Sequence, residues 1–116
     1  MNINLIIVCT GGRDYSDYNM VHDALKLFNP DKIYVGDSAG ADWLVQQYCQ
    51  DNNIPCEIFY ADWEKHGKAA GPIRNKEMLK SAGTHALVLA FPGGKGTQNC
   101  IKQAIAFNNI VFKVEA

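Results

Sequence analysis

Short runs of mainly apolar residues alternate with longer segments in which apolar residues recur every three or four positions. The short runs predict five β-strands, because nearly continuous apolar runs of this length are typical of strands covered on both faces. They lie at residues 3–9, 32–35, 55–60, 85–91 and 110–114. The longer segments between them predict four helices.

Capping and breaking residues mark the limits of these helices. Ser16 or Asp17 can cap the first helix, and Asn29 ends it because the residue before a proline is pushed out of the α region. The remaining helices start after the turn at 36–42, at Pro72 and near Thr97, and stop at 51–53, at Gly83 and at 108–109.

The strict alternation of strand and helix predicts an α/β fold, with a parallel sheet and helices on both faces. Glycine-containing turns follow the first, second and fourth strands, at residues 10–15, 36–42 and 92–97. The carboxyl ends of parallel strands share one edge of a sheet, and ligands of such sheets bind beyond that edge. We therefore expect the three turns to meet at one ligand site.

Composition narrows the possible classes of protein. The chain has 116 residues, which suits a single domain over residues 1–116. Its net charge is -1 and its 11 basic residues are scattered along the chain, which argues against a protein that binds a nucleic-acid duplex through the phosphates. No apolar run approaches the roughly 20 residues that span a bilayer. The first residues lack the basic start and cleavage site of a signal peptide, so we expect a cytoplasmic protein.

The four cysteines show no metal-binding or redox spacing. Cys9, Cys49, Cys56 and Cys100 form no CxxC pair, and three of them lie in apolar periodic segments. We expect reduced, mostly buried thiols rather than a disulfide or a zinc site. No metal site is predicted.

The turn after the fourth strand has the strongest indication of ligand binding. Pro92 ends an apolar run, and Gly93, Gly94 and Gly96 follow before a helix that begins near Thr97. Free backbone N–H groups and the positive end of a helix dipole attract a phosphate or carboxylate. Glycines allow positive φ and the close approach of a ligand. The alternative is that these residues only make a tight turn.

Lys95 lies between the glycines and can approach an anion or point into solvent. The spacing is not that of a P-loop, and the adjacent Lys-Ser/Thr pair is missing. It is not GxGxxG either, and no ribose-binding acid stands at the expected distance from the first turn. A nicotinamide-dependent dehydrogenase is therefore disfavoured.

The first turn, which contains Gly11 and Gly12, adds a guanidinium and an aromatic ring. Arg13 can bind a phosphate or carboxylate through its fork of donors, and Tyr15 can stack on a base. The alternative pairs Arg13 with Asp14 or Asp17 at the surface and places Tyr15 in a packing contact where the helix begins.

The second turn carries three polar side chains. Asp37 and Ser38 can cap the following helix, and Asp42 in its first turn can stabilise it through the dipole. Asp42 can also bind ribose hydroxyls, so capping and ligand binding both remain open for these residues.

Residues 61–71 form the longest stretch predicted to be irregular, and their Trp63 and two glycines suggest a lid. Pro72 suits the first turn of the next helix and brings Arg74 and Asn75 into that turn, within reach of a bound group. A direct role for His66 is the less favoured interpretation, because a lone histidine is more often a surface residue.

Four motifs together resemble the SLOG superfamily, and more narrowly its small YspA-type (YpsA-related) branch. They are Gly-Gly-Arg-Asp-Tyr after the first strand, Gly-x-x-x-Gly-Ala-Asp after the second, Gly-x-Ala-Ala-Gly-x-x-Arg-Asn-x-x-Met, and Pro-Gly-Gly-x-Gly-Thr. Each is weak alone, but all four occur in order over nearly the whole chain.

The resemblance implies a Rossmann-like three-layer α/β/α fold, with a five-stranded, mostly parallel sheet and a pocket for nucleotides or nucleotide-derived molecules. It implies that residues 93, 94, 96 and 97 hold a phosphate and that residues 11–13 form the facing wall. Arg74 and Asn75 would close the site. Relatives include the "lonely guy" phosphoribohydrolases, ligand-sensing domains of conflict systems and the DNA-processing protein DprA.

One departure bears on catalysis. In the phosphoribohydrolases the last motif continues into glutamates that serve hydrolysis, whereas here Gln98, Asn99 and Cys100 follow. An amide can neither act as a general base nor stabilise a cationic ribosyl centre by charge. Other carboxylates can substitute, and the sequence does not choose among Asp14, Asp37, Asp42 and Glu77.

Three functions follow, in descending order. The first is a module that senses or sequesters a phosphate-bearing nucleotide, with no further cofactor. The second is an N-glycosidase on nucleoside monophosphates, with Arg74 and Asp14 among its candidate catalytic residues. The third, DNA binding of the DprA kind, is disfavoured by the acidic balance. We also expect a homo-oligomer and no membrane partner.

Overall fold

The computed structural model describes residues 4–115 and contains five strands. They are β1 (Ile6–Thr10), β2 (Lys32–Gly36), β3 (Cys56–Phe59), β4 (Leu87–Ala90) and β5 (Ile110–Lys113). All neighbouring strands pair in parallel, in the order β3-β2-β1-β4-β5. The chain order reverses between β1 and β4, so a crevice opens beyond their carboxyl ends.

Helices cover both faces of this sheet. They are α1 (Tyr18–Phe28), α2 (Ala41–Asn52), α3 (Trp63–His66), α4 (Ala70–Ala82) and α5 (Lys95–Ala106), with a 3₁₀ turn at Gly67–Ala69 between α3 and α4. Helices α1 and α2 contact each other, and so do α4 and α5. The three-layer α/β/α architecture predicted from the strand and helix alternation is confirmed.

Two apolar clusters, one on each face of the sheet, hold the layers together. Ile7 and Cys9 of β1 pack with α1 and α2, whereas Val8 between them packs with α4 and α5. This follows from the two-residue period of a strand, which sends successive side chains to opposite faces. Both faces of the central strands are therefore buried, as their continuous apolar runs indicate.

Helix ends mostly follow the residues that mark them in the sequence. Asp17 caps α1, its carboxylate accepting a hydrogen bond from Met20 N at 3.0 Å. Asn29 ends α1 in the left-handed conformation, and Gly83 ends α4 at φ +89°.

The start of α2 is different. Neither Asp37 nor Ser38 caps it, because the residue that precedes α2 is Gly40, at φ +74°. A Cβ on Gly40 would overlap the carbonyl oxygens of Gly12 and Arg13, so the turns after β1 and β2 meet here without room for a side chain. The capping alternative for residues 37 and 38 is thus wrong.

The stretch at 61–71 is not irregular. Asp62 caps α3 through a hydrogen bond from Lys65 N, and the chain continues through the 3₁₀ turn into α4. Because α4 begins at Ala70, Arg74 and Asn75 lie in its second turn rather than its first. Helix α5 begins two residues earlier than predicted, at Lys95.

Strand limits differ from the prediction by at most three residues, and the predicted first residues of β2 and β5 are correct. Strand β1 begins at Ile6, and residue 3 of the predicted strand lies outside the described residues. All four cysteines are free; Cys9, Cys49 and Cys100 are buried and Cys56 is half-buried, which matches the predicted buried thiols. No helix within residues 4–115 has the length and apolarity needed to cross a membrane.

Candidate functional site

A cavity of about 450 Å³ opens at the carboxyl edge of the sheet. This volume lies within the range of small-molecule sites, about 300–1,000 Å³. The turns after β1, β2 and β4 contribute to its walls together with α3, the 3₁₀ turn and α4. The three turns predicted to meet at one edge therefore do so.

The turns after β1 and β4 touch directly. Gly12 N donates to Pro92 O at 2.9 Å. A Cβ on Gly93 would lie 2.6 Å from Gly12 N and would overlap Thr97 Oγ1, so no larger residue fits without a shift of backbone. Gly93 is needed for close packing between loops, whereas none of Gly93, Gly94 and Gly96 adopts positive φ.

The amino end of α5 faces this cavity. Gly94 precedes the helix and has no side chain that could cap it, and Lys95, Gly96 and Thr97 form its first turn. The first N–H groups of a helix have no partner within the helix and carry its positive dipole end. All four residues line the cavity, so these donors are available to an anion there.

Two buried charged residues, Asp42 and Arg74, line the part of the cavity that we call its deep end, and Asp37, which does not line it, pairs with Arg74. We call Asp37, Asp42 and Arg74 the floor cluster. Arg74 Nη1 donates to Asp37 Oδ1 at 2.8 Å, and only 10% of the Arg74 side chain is exposed. Arg74 Nε donates to Asn75 Oδ1 at 3.0 Å. The guanidinium is therefore already paired within the protein.

Asp42 is the second carboxylate of the floor cluster, with only 5% of its surface exposed. Its Oδ2 accepts a hydrogen bond from Ser38 N at 3.1 Å. Burial raises the pKa of Asp42 to about 6, and the charge of Asp37 adds to this, while the Ser38 bond and Arg74 act in the opposite direction.

Gly36 makes room for this cluster at the end of β2. A Cβ there would lie 2.7 Å from Asp42 Oδ2 and would overlap Arg74 Nη1. Because Gly36 has no side chain, the Asp42 carboxylate and the Arg74 guanidinium can approach each other at this edge of the sheet.

The mouth of the cavity carries positive charge, and we call Arg13, Trp63, Lys68 and Lys95 the rim. The Arg13 guanidinium carbon lies 5.6 Å from the centroid of the Trp63 ring, within the range of a cation–π contact. Trp63 is 47% exposed, and the three cationic side chains are exposed as well. Asp14 also lines the mouth, so the net charge of these side chains is positive.

Most residues singled out from the sequence line the cavity. Those that do are Gly11, Gly12, Arg13, Asp14, Ser38, Asp42, Trp63, Arg74, Asn75, Gly94, Lys95, Gly96 and Thr97. Four others do not line it, namely Tyr15, Asp37, Pro92 and Gly93. His66 is not among the lining residues either.

The four non-lining residues make other contacts within the protein. The Tyr15 ring makes a packing contact, but its partner is Phe91, directly after β4, with ring centroids 5.5 Å apart. Asp37 reaches the cavity only through its ion pair with Arg74. Pro92 and Gly93 join the turns after β1 and β4.

Sequence reasoning missed several lining residues. Lys68 and Met78 lie inside the third motif, and helical spacing from Gly96 could have indicated Asn99. Asn99 Oδ1 accepts from Asn75 Nδ2 at 3.2 Å and from Gln103 Nε2 at 2.8 Å. At the next position Cys100 is fully buried in the core, where burial raises its pKa to about 11.

Comparisons with known proteins bear on the family, and the family match covers the first two of the four motifs. Residues 5–66 match the model of the YspA, cpYpsA-related SLOG family. The chain is also similar to the Gene 61 protein of Mycobacterium phage D29, with 36% identity over 110 residues, 84% of this chain and 86% of that protein. No solved structure matches the chain.

Proposed function

Because this chain belongs to the YspA, cpYpsA-related SLOG family, we propose that it binds a phosphate-bearing nucleotide or nucleotide-derived small molecule. The ligand binds in the cavity at the carboxyl edge of the sheet, and the protein acts as a sensor or a sequestering module. The observation that carries the proposal is the meeting of three loops and the amino end of α5 around one cavity.

The charge distribution supports a phosphate at the mouth. Lys68 and Lys95 are exposed cations on two separate elements, and the first N–H groups of α5 lie beside Lys95. Charged donors and a helix dipole favour an anion at the same point. The Trp63 ring, half-exposed beside Arg13, offers an aromatic surface for a base.

Isothermal titration with AMP, ADP-ribose, NAD and cyclic nucleotides tests the proposal. Gly94→Asp adds a negative charge where no atom lies within 4 Å of the new Cβ, and Gly94→Asn adds nearly the same volume without the charge. We expect the aspartate variant to bind at least about tenfold more weakly than the asparagine variant, from like-charge repulsion in a partly enclosed site. Absence of binding to every compound would overturn the proposal.

A second function, hydrolysis of the N-glycosidic bond of a nucleoside monophosphate, has one specific observation in its favour. Of the four carboxylates that can replace the missing glutamates, Asp42 alone is buried, lines the cavity and is not ion-paired within it. Asp14 and Glu77 are exposed, and Asp37 is held by Arg74.

In that reaction water attacks C1′, the bond from C1′ to the base nitrogen breaks, and Asp42 accepts a proton from the water that is passed to the leaving base. The products are the free base and ribose 5-phosphate. Release of adenine from AMP, lost in Asp42→Asn, would support hydrolysis. Binding of AMP without release of adenine would exclude it in favour of simple binding.

The expected homo-oligomer and the expected cytoplasmic location stay predictions. Sedimentation at several protein concentrations tests the first. A monomer at all of them would contradict it.

A further inference from the structure

We propose that the floor cluster selects the sugar of the ligand: Asp42 accepts hydrogen bonds from ribose hydroxyls, so the site prefers ribose phosphates to 2′-deoxyribose phosphates. This inference rests on the proposed function and goes beyond it, because it assigns a chemical class of sugar to a named residue. Three features carry the inference: the net charge of the floor cluster, the capacity of Asp42 to accept hydrogen bonds, and the positions of the cations and of Asp42 along the cavity.

The charge of the floor cluster excludes a phosphate from the deep end. Two carboxylates face one guanidinium, and Arg74 is held by Asp37 at 2.8 Å and by Asn75 at 3.0 Å. With Asp42 ionised, the cluster has a net charge of one negative unit. A second anion brought beside it would be repelled, and more strongly than in water because the site is partly enclosed.

Asp42 has capacity for further hydrogen bonds. A carboxylate has about four lone-pair positions, yet among residues 4–115 only Ser38 N donates to it, at Oδ2. The remaining Asp42 oxygen is accessible to solvent, since among the described residues Asn109 Oδ1 is the only fully buried side-chain N or O atom without a partner. Since Asp42 lines the cavity, a ligand that donates hydrogen bonds supplies what the protein does not.

The order of groups in the cavity matches a sugar phosphate. The rim and the amino end of α5 favour the anion near the mouth, and Asp42 favours hydroxyl donors deeper in. A 5-phosphorylated ribose carries its phosphate at one end and its 2′ and 3′ hydroxyls further along the ring. Arg74 then acts as a positioning residue, because it neutralises Asp37 and leaves Asp42 free to accept.

Gly36 makes room for both charged groups that border the cavity. Gly36 lies between Asp42 and Arg74, and a side chain there would occupy the point at which both groups approach. Gly71 and Thr10 complete the neighbouring wall. The carboxylate is thus held at the cavity by its position in the first turn of α2 and by the hydrogen bond from Ser38 N.

The test compares two pairs of compounds that differ by one hydroxyl: ribose 5-phosphate with 2-deoxyribose 5-phosphate, and AMP with 2′-deoxy-AMP. Titration calorimetry, or NMR shift changes for the weaker sugars, gives the ratio of dissociation constants. We expect the wild-type protein to prefer the ribose compound about tenfold or more, as for hydrogen bonds to a charged acceptor. Asp42→Asn should reduce this ratio to about threefold or less.

Asp23→Asn is the matched control, because it makes the same change on the exposed face of α1, outside the cavity. It should leave the ratio as in the wild type. Equal binding of both members of each pair by the wild-type protein, or an unchanged ratio in Asp42→Asn, would overturn the inference and leave the proposed function standing. If none of the four compounds binds, the inference fails, and the proposed function fails with it only if ADP-ribose, NAD and the cyclic nucleotides do not bind either.

Discussion

The rim and the floor cluster lie in the same cavity but are built in opposite ways. The rim consists of exposed cations on flexible side chains, and water screens their charges. The floor cluster is mostly buried, carries one excess carboxylate and is fixed by the hydrogen bonds from Ser38 N to Asp42 and from Arg74 to Asp37. The comparison shows that exposed cations cost the fold little, whereas a buried carboxylate costs it stability.

The cost in folding stability can be attributed to one residue, Asp42. A buried carboxylate whose pKa is raised to about 6 is held in a state that folding opposes at neutral pH. Active and binding sites often retain such groups at the expense of stability, because function requires them. The rim needs no such explanation, since substitution of an exposed charge normally changes stability by less than about 0.5 kcal/mol.

The largest effect is expected when Arg74 is replaced by Met, which keeps an apolar stem and removes the charge. Loss of one partner of a buried ion pair costs about 3–5 kcal/mol. The Asp37 side chain is 27% exposed and is partly screened by solvent, so we expect the lower end, about 3 kcal/mol. Urea unfolding measures the change.

Lys76→Met is the control, because Lys76 is an exposed cation on the same helix. Its unfolding free energy should change by less than about 0.5 kcal/mol. Addition of Asp37→Asn to Arg74→Met should recover part of the loss by removing the unpaired carboxylate. Equal effects of the two methionine variants would show that the floor is not stabilised by this ion pair.

The next effect concerns the pH dependence of stability. The folded-state pKa of Asp42 is about 6 against an ordinary value of 3.8. Between these values the folded state binds a proton that the unfolded state has released, so stability falls as pH rises from about 4 through about 6. Asp42→Asn has no such proton, so its stability relative to wild type should rise over that window by at most about 3 kcal/mol.

Urea unfolding of both proteins at pH 4, 5, 6 and 7.5 tests this. The two stability curves should diverge in favour of the variant as pH rises, and become parallel above about pH 7. Curves that are parallel throughout would mean that the pKa of Asp42 is not raised. Divergence in the opposite sense would mean that Arg74 outweighs burial.

The sequence predicts much of the fold and the location of the site, because both follow from local patterns. Five apolar runs and their intervening helical periods identify the layers, and parallel strands place the turns after β1, β2 and β4 at one edge. Asp17, Asn29 and Gly83 mark helix ends by the conformations that they favour. Each of these inferences uses only residues close together in the chain.

The contacts that define the floor could not be predicted in this way. Asp37 and Arg74 are 37 positions apart, and no spacing rule pairs a turn residue with the second turn of a later helix. Residues 61–71 carry an early Trp and two glycines, which favour a loop, yet they form α3 and the 3₁₀ turn. Gly67 there adopts φ +56° between two helical segments.

A pair of glycine variants tests the junction that joins the loops around the cavity. Gly93→Ala would place a Cβ against Gly12 N and Thr97 Oγ1, and we expect a loss of about 1–3 kcal/mol from overpacking. Gly94→Ala adds the same methyl group one residue later, where no atom lies within 4 Å. Its stability should change by less than about 1 kcal/mol. Thermal unfolding of both proteins is sufficient, and equal melting temperatures would show that the two turns do not pack as described.

The smallest effects belong to the rim. Lys68→Ala and Lys95→Ala should each weaken binding of AMP about three- to fivefold, since an exposed charge contact contributes up to about 1 kcal/mol. Neither change should lower the melting temperature, and both losses should shrink at 0.5 M salt because the charges are screened. Lys102→Ala is the control, because Lys102 is an exposed lysine of α5 outside the cavity, and this variant should bind AMP as the wild type does.

The preference for ribose, which depends on buried Asp42, should persist at 0.5 M salt. If 0.5 M salt also removes the preference for ribose, then that preference depends on screened charges, as binding at the rim does, and not on the buried carboxylate.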